Sequence, residues 1–192
     1  MAYAPWKTDM AQTRVWEENI AVWRPLEAWP AEQRPASLWP WLAYAGSLTE
    51  KLRAAVGDVF HIRVLREGDA SLAAEDAHCL DVATGTAVRM REVYLCSDRP
   101  RVYARTLAVT AAGARWLHEL GTQPLGERVF AEADTHRGPI EVASLDAAHP
   151  LYRTAVADAR HTPALLWARR SLLTVRASRL LIYECFLDEA GV

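Results

Sequence analysis

Apolar and polar side chains follow a strand-like pattern along several short stretches of the chain, typical of β-strands that bury one face. These stretches are residues 60–66, 88–96, 101–109, 140–145, 167–175 and 180–187. Turn-forming residues separate the second stretch from the third and the fifth from the sixth, so each pair predicts a β-hairpin. Because no crossover helix lies within either pair, the pattern predicts a mainly antiparallel sheet of about six strands.

Helical signals lie beside these stretches. Ser47 and Glu50 match the Ser-x-x-Glu capping box and predict a helix that Gly57 ends. A further helix is predicted over residues 110–120, and a short helical piece over residues 127–130. Helices together with an antiparallel sheet predict an α+β fold.

Two regions are interpreted as connections, and one as an extension of the domain. Glu67-Gly68-Asp69 predicts a turn, and residues 146–163 predict a long surface connection that is partly helical. Residues 1–46 hold six of the eight tryptophans and five of the ten prolines, which rules out a continuous helix there. We therefore predict an N-terminal arm over 1–46, packed through its indole rings on a domain formed by 47–192.

Composition excludes several classes of function. The chain has 192 residues and a formal net charge of −2, which argues against nucleic acid as the main partner. The three cysteines and six histidines show no metal-ligand spacing, and no glycine-rich phosphate loop follows a strand, so neither a metal nor a cofactor is expected. Without a signal-like start or an apolar run of about 18 residues, a cytoplasmic protein is expected.

Two charged residues fall on apolar strand faces. Arg91 shares its predicted face with Val93 and Leu95, and Glu184 lies between Ile182 and Phe186. A buried charge costs several kcal/mol unless it is paired, so such residues usually have a role. Two interpretations remain open: a ligand cavity that contains both charges, or a structural Arg91–Glu184 ion pair without a ligand.

An ordered set of segments resembles the chorismate–pyruvate lyases of ubiquinone biosynthesis. The segments are Ser47-Leu48-Thr49, Arg91-Glu92-Val93-Tyr94-Leu95-Cys96, Ala104-Arg105-Thr106, Leu120-Gly121-Thr122-Gln123-Pro124-Leu125-Gly126 with Phe130, Trp167-Ala168-Arg169-Arg170-Ser171 and Glu184-Cys185-Phe186-Leu187. Each is weak alone, but together they follow the order of the family over residues 40–188. The long Trp/Pro-rich arm and the insertion around 146–163 depart from it.

The resemblance implies a six-stranded antiparallel sheet, with helices over one face and a ligand enclosed beneath them. It implies cleavage of chorismate into 4-hydroxybenzoate and pyruvate without cofactor or metal, in a chain that we expect to be a monomer. Carried over position by position, the binding residues are Leu48, Arg91, Leu125 and Glu184, with Arg91 and Glu184 catalytic. Arg169 is our candidate for the second carboxylate of chorismate, because its pleat can bring it to the same cavity.

Two rival functions fit the same fold. One is the small-molecule sensor domain of transcription regulators, which normally follows a helix-turn-helix domain that residues 1–46 are too short and proline-rich to form. The other is a chorismate-using enzyme that yields a different product. The joint presence of Arg91, Leu125 and Glu184 disfavours both.

Overall fold

A single open antiparallel sheet is the centre of the fold. The computed structural model describes residues 22–109, 117, 123, 125–130, 132, 134–159, 162–175 and 178–188. Within these residues the strands are β1 (Arg24–Pro25), β2 (His61–Ser71), β3 (Ala87–Cys96), β4 (Pro100–Ala108), β5 (His136–Arg137), β6 (Glu141–Leu145), β7 (Leu166–Val175) and β8 (Ser178–Phe186). Their order is β1-β6-β7-β8-β4-β3-β2, and β5 pairs with β7. The α+β prediction is confirmed.

Both predicted hairpins form. β3 pairs with β4, and β7 pairs with β8, with every pair of neighbours antiparallel. The two hairpins join through β4 and β8, so that Ala104 lies opposite Glu184. This junction places the Arg91 strand two positions from the Glu184 strand in the sheet.

The first long strand differs from its prediction. Residues 67–69 were predicted as a turn, but β2 continues through them to Ser71. A bulge between Val64 and Arg66 interrupts the two-residue alternation, which explains why the pattern seemed to end there. Beyond the bulge, Glu67 lies opposite Arg91 and Asp69 opposite Arg89, so these charges are cross-strand partners.

Five α-helices are described: α1 (Trp39–Leu42), α2 (Leu48–Val56), α3 (Ala74–Leu80), α4 (Leu125–Phe130) and α5 (Pro150–Ala155). The capping box behaves as predicted, because the Glu50 amide donates to the Ser47 side-chain oxygen at 3.2 Å. Gly57 ends α2 with φ of +68°, a conformation that favours glycine. None of the described helices is long and apolar enough to cross a membrane.

Three helical predictions have different outcomes. The short piece over 127–130 belongs to α4, and the connection over 146–163 contains α5. The helix α3 was not predicted. The helix expected over 110–120 lies outside the described residues except for position 117.

Apolar layers cover both faces of the sheet. We call the face that carries Arg91, Val93 and Glu184 the pocket face, and the opposite face, with Tyr94 and Tyr103, the far face. Residues of α1 and α2 pack on the pocket face, and residues of α3 and α5 pack on the far face. The expectation of helices on one face was therefore wrong. The far-face strand positions are themselves largely apolar and need a cover as well.

The segment before α2 is part of the packed structure. Trp29 is buried, and its indole Nε1 donates to the Val142 carbonyl at 3.3 Å. Leu38 and Leu42 are buried in the pocket-face core, and β1 extends the sheet beside β6. Residues 1–21 lie outside the described residues, and the division of the chain at residue 47 stays a prediction.

Candidate active site

A pocket lies between the pocket face of the sheet and the first turns of α2 and α4. It leaves about 580 Å³ between atoms, a volume that includes space open to solvent. Most of its wall is apolar, and its charged groups are Arg91, Arg137 and Glu184. The apolar wall is formed by Leu48, Ile62, Val93, Leu95, Ala104, Leu125, Gly126, Leu173 and Ile182, and polar side chains are Thr49, Thr106 and Gln123.

Arg91 reaches the pocket from β3 and is almost fully buried, with 3% of its surface exposed. Its Nη1 donates to Glu67 Oε2 at 3.1 Å, and Glu67 also pairs with Arg89 at 3.2 Å. The pKa of Arg91 is lowered, because burial disfavours the charged form more than the Glu67 carboxylate supports it. A bound anion would therefore find an incompletely compensated cation.

Glu184 enters the same pocket from β8 and is held by Arg169 of β7. The two residues are cross-strand partners, and Arg169 Nε donates to Glu184 Oε2 at 2.5 Å. Of the two interpretations left open by the sequence, the structural ion pair between Arg91 and Glu184 is wrong. Each of the two has its own partner, Glu67 for Arg91 and Arg169 for Glu184.

Arg169 lies behind Glu184 and does not line the pocket. It is 1% exposed, and its Nη1 donates to the Trp41 carbonyl at 2.9 Å and the Tyr44 carbonyl at 2.6 Å. Its Nη2 is buried without a hydrogen-bond partner among the described residues. Arg169 therefore holds the end of α1 and the following Tyr44 on the sheet, and it orients the Glu184 carboxylate at the same time.

The floor of the pocket is formed by two neighbouring rows of strand partners. The first row runs Arg91, Thr106, Ile182, Ser171 across β3, β4, β8 and β7, and the second runs Val93, Ala104, Glu184, Arg169. Arg91 and Glu184 thus lie two strands apart, roughly 10 Å across the sheet at a spacing of about 4.8 Å per strand.

Two helix starts form the roof. Leu48 is the first residue of α2 and Leu125 the first of α4. A Cβ on Gly126 would lie 2.5 Å from the Ser47 side-chain oxygen, so glycine is needed for this close approach. The two helices are also joined by an ion pair between Arg53 and Glu127. The roof is therefore a contact between two short helices that lie above the sheet.

Two charged residues of the site were not predicted from the sequence. Arg137 lies in a strand of two residues, too short for a hydrophobic period, and Glu67 was assigned to a turn. Arg137 Nη1 donates to the Ser171 hydroxyl at 2.5 Å. Its pKa is lowered, mainly by burial, with Glu184 raising it and Arg169 lowering it. No sequence signal marked Arg137, whereas continuing the strand past the Val64 bulge would have found Glu67.

The far face has a cavity too, about 1,390 Å³ by the same measure. The two carboxylates that line it are paired with strand residues: the Tyr183 hydroxyl donates to Asp76, and Arg170 of β7 donates to Glu75. These bonds attach α3 to the sheet. Nowhere in the described part of the chain do three His, Cys, Asp or Glu side chains come close enough to hold a metal ion.

The family model "Chorismate lyase" matches residues 18–190. The chain belongs to the chorismate lyase family. A probable chorismate pyruvate-lyase of Halorhodospira halophila is 37% identical over 94% of this chain and 97% of its own length. One from Pseudomonas aeruginosa is 38% identical over 79% of this chain and 86% of its own.

Solved structures share the fold at much lower identity. A GntR-family transcriptional regulator from Bacillus cereus aligns with a TM-score of 0.54 at 9% identity, over 70% of this chain and 96% of its own. The effector domain of PhnF from Mycobacterium smegmatis gives 0.50 at 18% identity, over 77% and 91%. At such identities the likeness shows the fold alone.

The structure of this chorismate lyase family member brings together four of the five residues expected at the site. Leu48, Arg91, Leu125 and Glu184 all line the pocket, although they come from two helices and two strands. Arg169, the fifth residue, does not line the pocket and donates to Glu184 from behind it.

The Arg169 contacts generate a stability prediction. Arg169→Met leaves the Glu184 carboxylate buried without its cation, so the free energy of unfolding should fall by about 3–5 kcal/mol. Arg179→Met is the control, because Arg179 is 40% exposed and its pair with Asp81 is a surface contact expected to contribute at most about 1 kcal/mol. Urea denaturation measures both.

The same measurement includes a double variant. Adding Glu184→Gln to Arg169→Met removes the uncompensated charge and should restore part of the lost stability. An Arg169→Met protein as stable as the Arg179→Met control would contradict the anchoring role of Arg169.

Proposed function

We propose that this protein is a chorismate pyruvate-lyase, which converts chorismate into 4-hydroxybenzoate and pyruvate. Membership of the chorismate lyase family and the names of the relatives support the class of reaction. The observation that carries the proposal is the placement of Arg91 and Glu184 in the wall of one pocket with an otherwise largely apolar lining. A ring with a carboxylate at one end and a hydroxyl at the other matches that wall.

Arg91 binds the ring carboxylate in this proposal. A guanidinium has five N–H donors in a planar fork, so its bond to Glu67 is compatible with a second, bidentate carboxylate. Burial disfavours the positive charge of Arg91, and a bound carboxylate would stabilise that charge. An anion is therefore bound more strongly at Arg91 inside the pocket than at an arginine on the surface.

Glu184 faces the C4 end of the ring and handles the proton. Cleavage removes the C4 hydrogen as a proton, its electron pair forms the C3–C4 double bond, and the C3–O bond breaks to release enolpyruvate. Arg169 engages Oε2, so Oε1 is the oxygen that we assign to the 4-hydroxyl and to proton transfer. This elimination makes the ring aromatic, and protonation of the released enolpyruvate at its methylene carbon then gives pyruvate.

Leu48 and Leu125 complete the binding site through shape and backbone. Both begin helices, and the first backbone N–H groups of a helix have no partner within it. We assign these residues to the upper face of the ring, where their side chains exclude water from Arg91 and Glu184.

The wider role is part of the same proposal. The product 4-hydroxybenzoate is the aromatic precursor in ubiquinone biosynthesis, so we propose that the enzyme supplies that pathway in the cytoplasm, as a monomer without metal or cofactor. The fold is shared with effector domains of transcription regulators, which makes ligand binding without turnover the alternative outcome.

The first experiment separates these outcomes. Protein treated with EDTA is incubated with chorismate, and 4-hydroxybenzoate and pyruvate are quantified by chromatography. We expect both products in equal amounts over many turnovers. Binding of 4-hydroxybenzoate with no turnover would support the sensor alternative, and activity that returns only with a divalent ion would contradict the metal-free reaction.

The Glu184→Gln variant tests the proton-handling role. Glutamine keeps the size and hydrogen bonding of glutamate but cannot accept the proton, so single-turnover conversion should fall by about 10²–10⁴-fold. Calorimetric affinity for 4-hydroxybenzoate should change much less. Near-parent conversion by Glu184→Gln would mean that this side chain only shapes the pocket.

A further inference from the structure

We propose that Arg137 binds the enolpyruvyl carboxylate of chorismate, so that the pocket holds the substrate by two arginines and the ring product by one. The inference rests on the proposed function, because it assigns the second carboxylate of that substrate. It replaces Arg169, whose Nη1 is engaged by backbone carbonyls and whose Nε is engaged by Glu184.

The position of Arg137 supports this assignment. Arg137 lies in β5 opposite Leu173 of β7, and both residues line the same pocket as Arg91 and Glu184. Its bond to the Ser171 hydroxyl fixes the guanidinium at the β7 side. That hydroxyl belongs to a strand of the pocket floor, so the side chain is oriented by the sheet itself.

The register of the sheet sets the distance between the two arginines. Ser171 ends the row that Arg91 begins, with Thr106 and Ile182 between them. Three strand spacings of about 4.8 Å place the Arg91 and Ser171 backbones roughly 14 Å apart. The two guanidiniums therefore approach the pocket from opposite sides, above a floor of two small or aliphatic side chains.

Chorismate has the matching shape. Its ring carboxylate and its enolpyruvyl carboxylate lie on opposite sides of the ether linkage, and a planar guanidinium suits each of them. A cation beside the enolpyruvyl group also stabilises the negative charge that develops on the ether oxygen as the C3–O bond breaks. After cleavage, pyruvate remains beside Arg137 and 4-hydroxybenzoate beside Arg91.

The assignment predicts a selective loss. In Arg137→Gln, kcat/KM for chorismate should fall by about 10- to 100-fold, the effect of losing a charge-assisted bond to one carboxylate. Affinity for 4-hydroxybenzoate, measured by calorimetry, should stay close to that of the parent. In the matched variant Arg91→Gln, both quantities should fall, because the carboxylate at Arg91 is common to substrate and product.

Two further variants complete the test. Arg137→Lys keeps the positive charge and should recover part of the kcat/KM lost in Arg137→Gln. Arg63→Gln, at a half-exposed arginine outside the pocket, should leave both quantities unchanged. Retained 4-hydroxybenzoate binding shows that the Arg137 and Arg63 variants are folded, and circular dichroism shows it for Arg91→Gln. If Arg137→Gln does not fold, the comparison is made between Arg137→Lys and the parent.

Failure of the proposed function and failure of the Arg137 assignment give different results. A parent protein that does not cleave chorismate would contradict the proposed function itself. If the parent cleaves chorismate but Arg137→Gln retains its kcat/KM, or loses 4-hydroxybenzoate binding as strongly as Arg91→Gln does, the assignment of Arg137 is wrong.

Discussion

The buried ion pair between Arg169 and Glu184 is the interaction on which the site depends. An ion pair of this kind contributes little net stability, since removing both charges from water costs about as much as their attraction returns. Here it does two things that an apolar pair cannot do. It keeps the Glu184 carboxylate inside an apolar pocket. Arg169 also donates to the Trp41 and Tyr44 carbonyls, which attaches the end of α1 to the sheet.

The pocket exists because β4 has small side chains on this face. Ala104, Thr106 and Ala108 of β4 lie between longer side chains on β3 and β8, so the floor is lowest along β4. The roof spans this trough instead of filling it, because Gly126 lets α4 rest directly on Ser47. A trough of this shape accepts a flat ring, with polar groups only at its ends.

Sequence patterns predicted the parts of the fold that have a clear period. The two hairpins and α2 have alternating faces or a capping box, and the faces of Arg91 and Glu184 followed from the alternation alone. What the patterns missed depends on long-range pairing. The partner of each charge is set by strand order, and strand order is not encoded in any local window.

Placement of the ring is the central claim, and a crystal structure of the complex with 4-hydroxybenzoate tests it most directly. The account predicts the ligand carboxylate on the guanidinium of Arg91, and the hydroxyl within hydrogen-bond distance of Glu184, beneath Leu48 and Leu125. A ligand bound in the far-face cavity, or one with its hydroxyl at Arg91, would contradict the account.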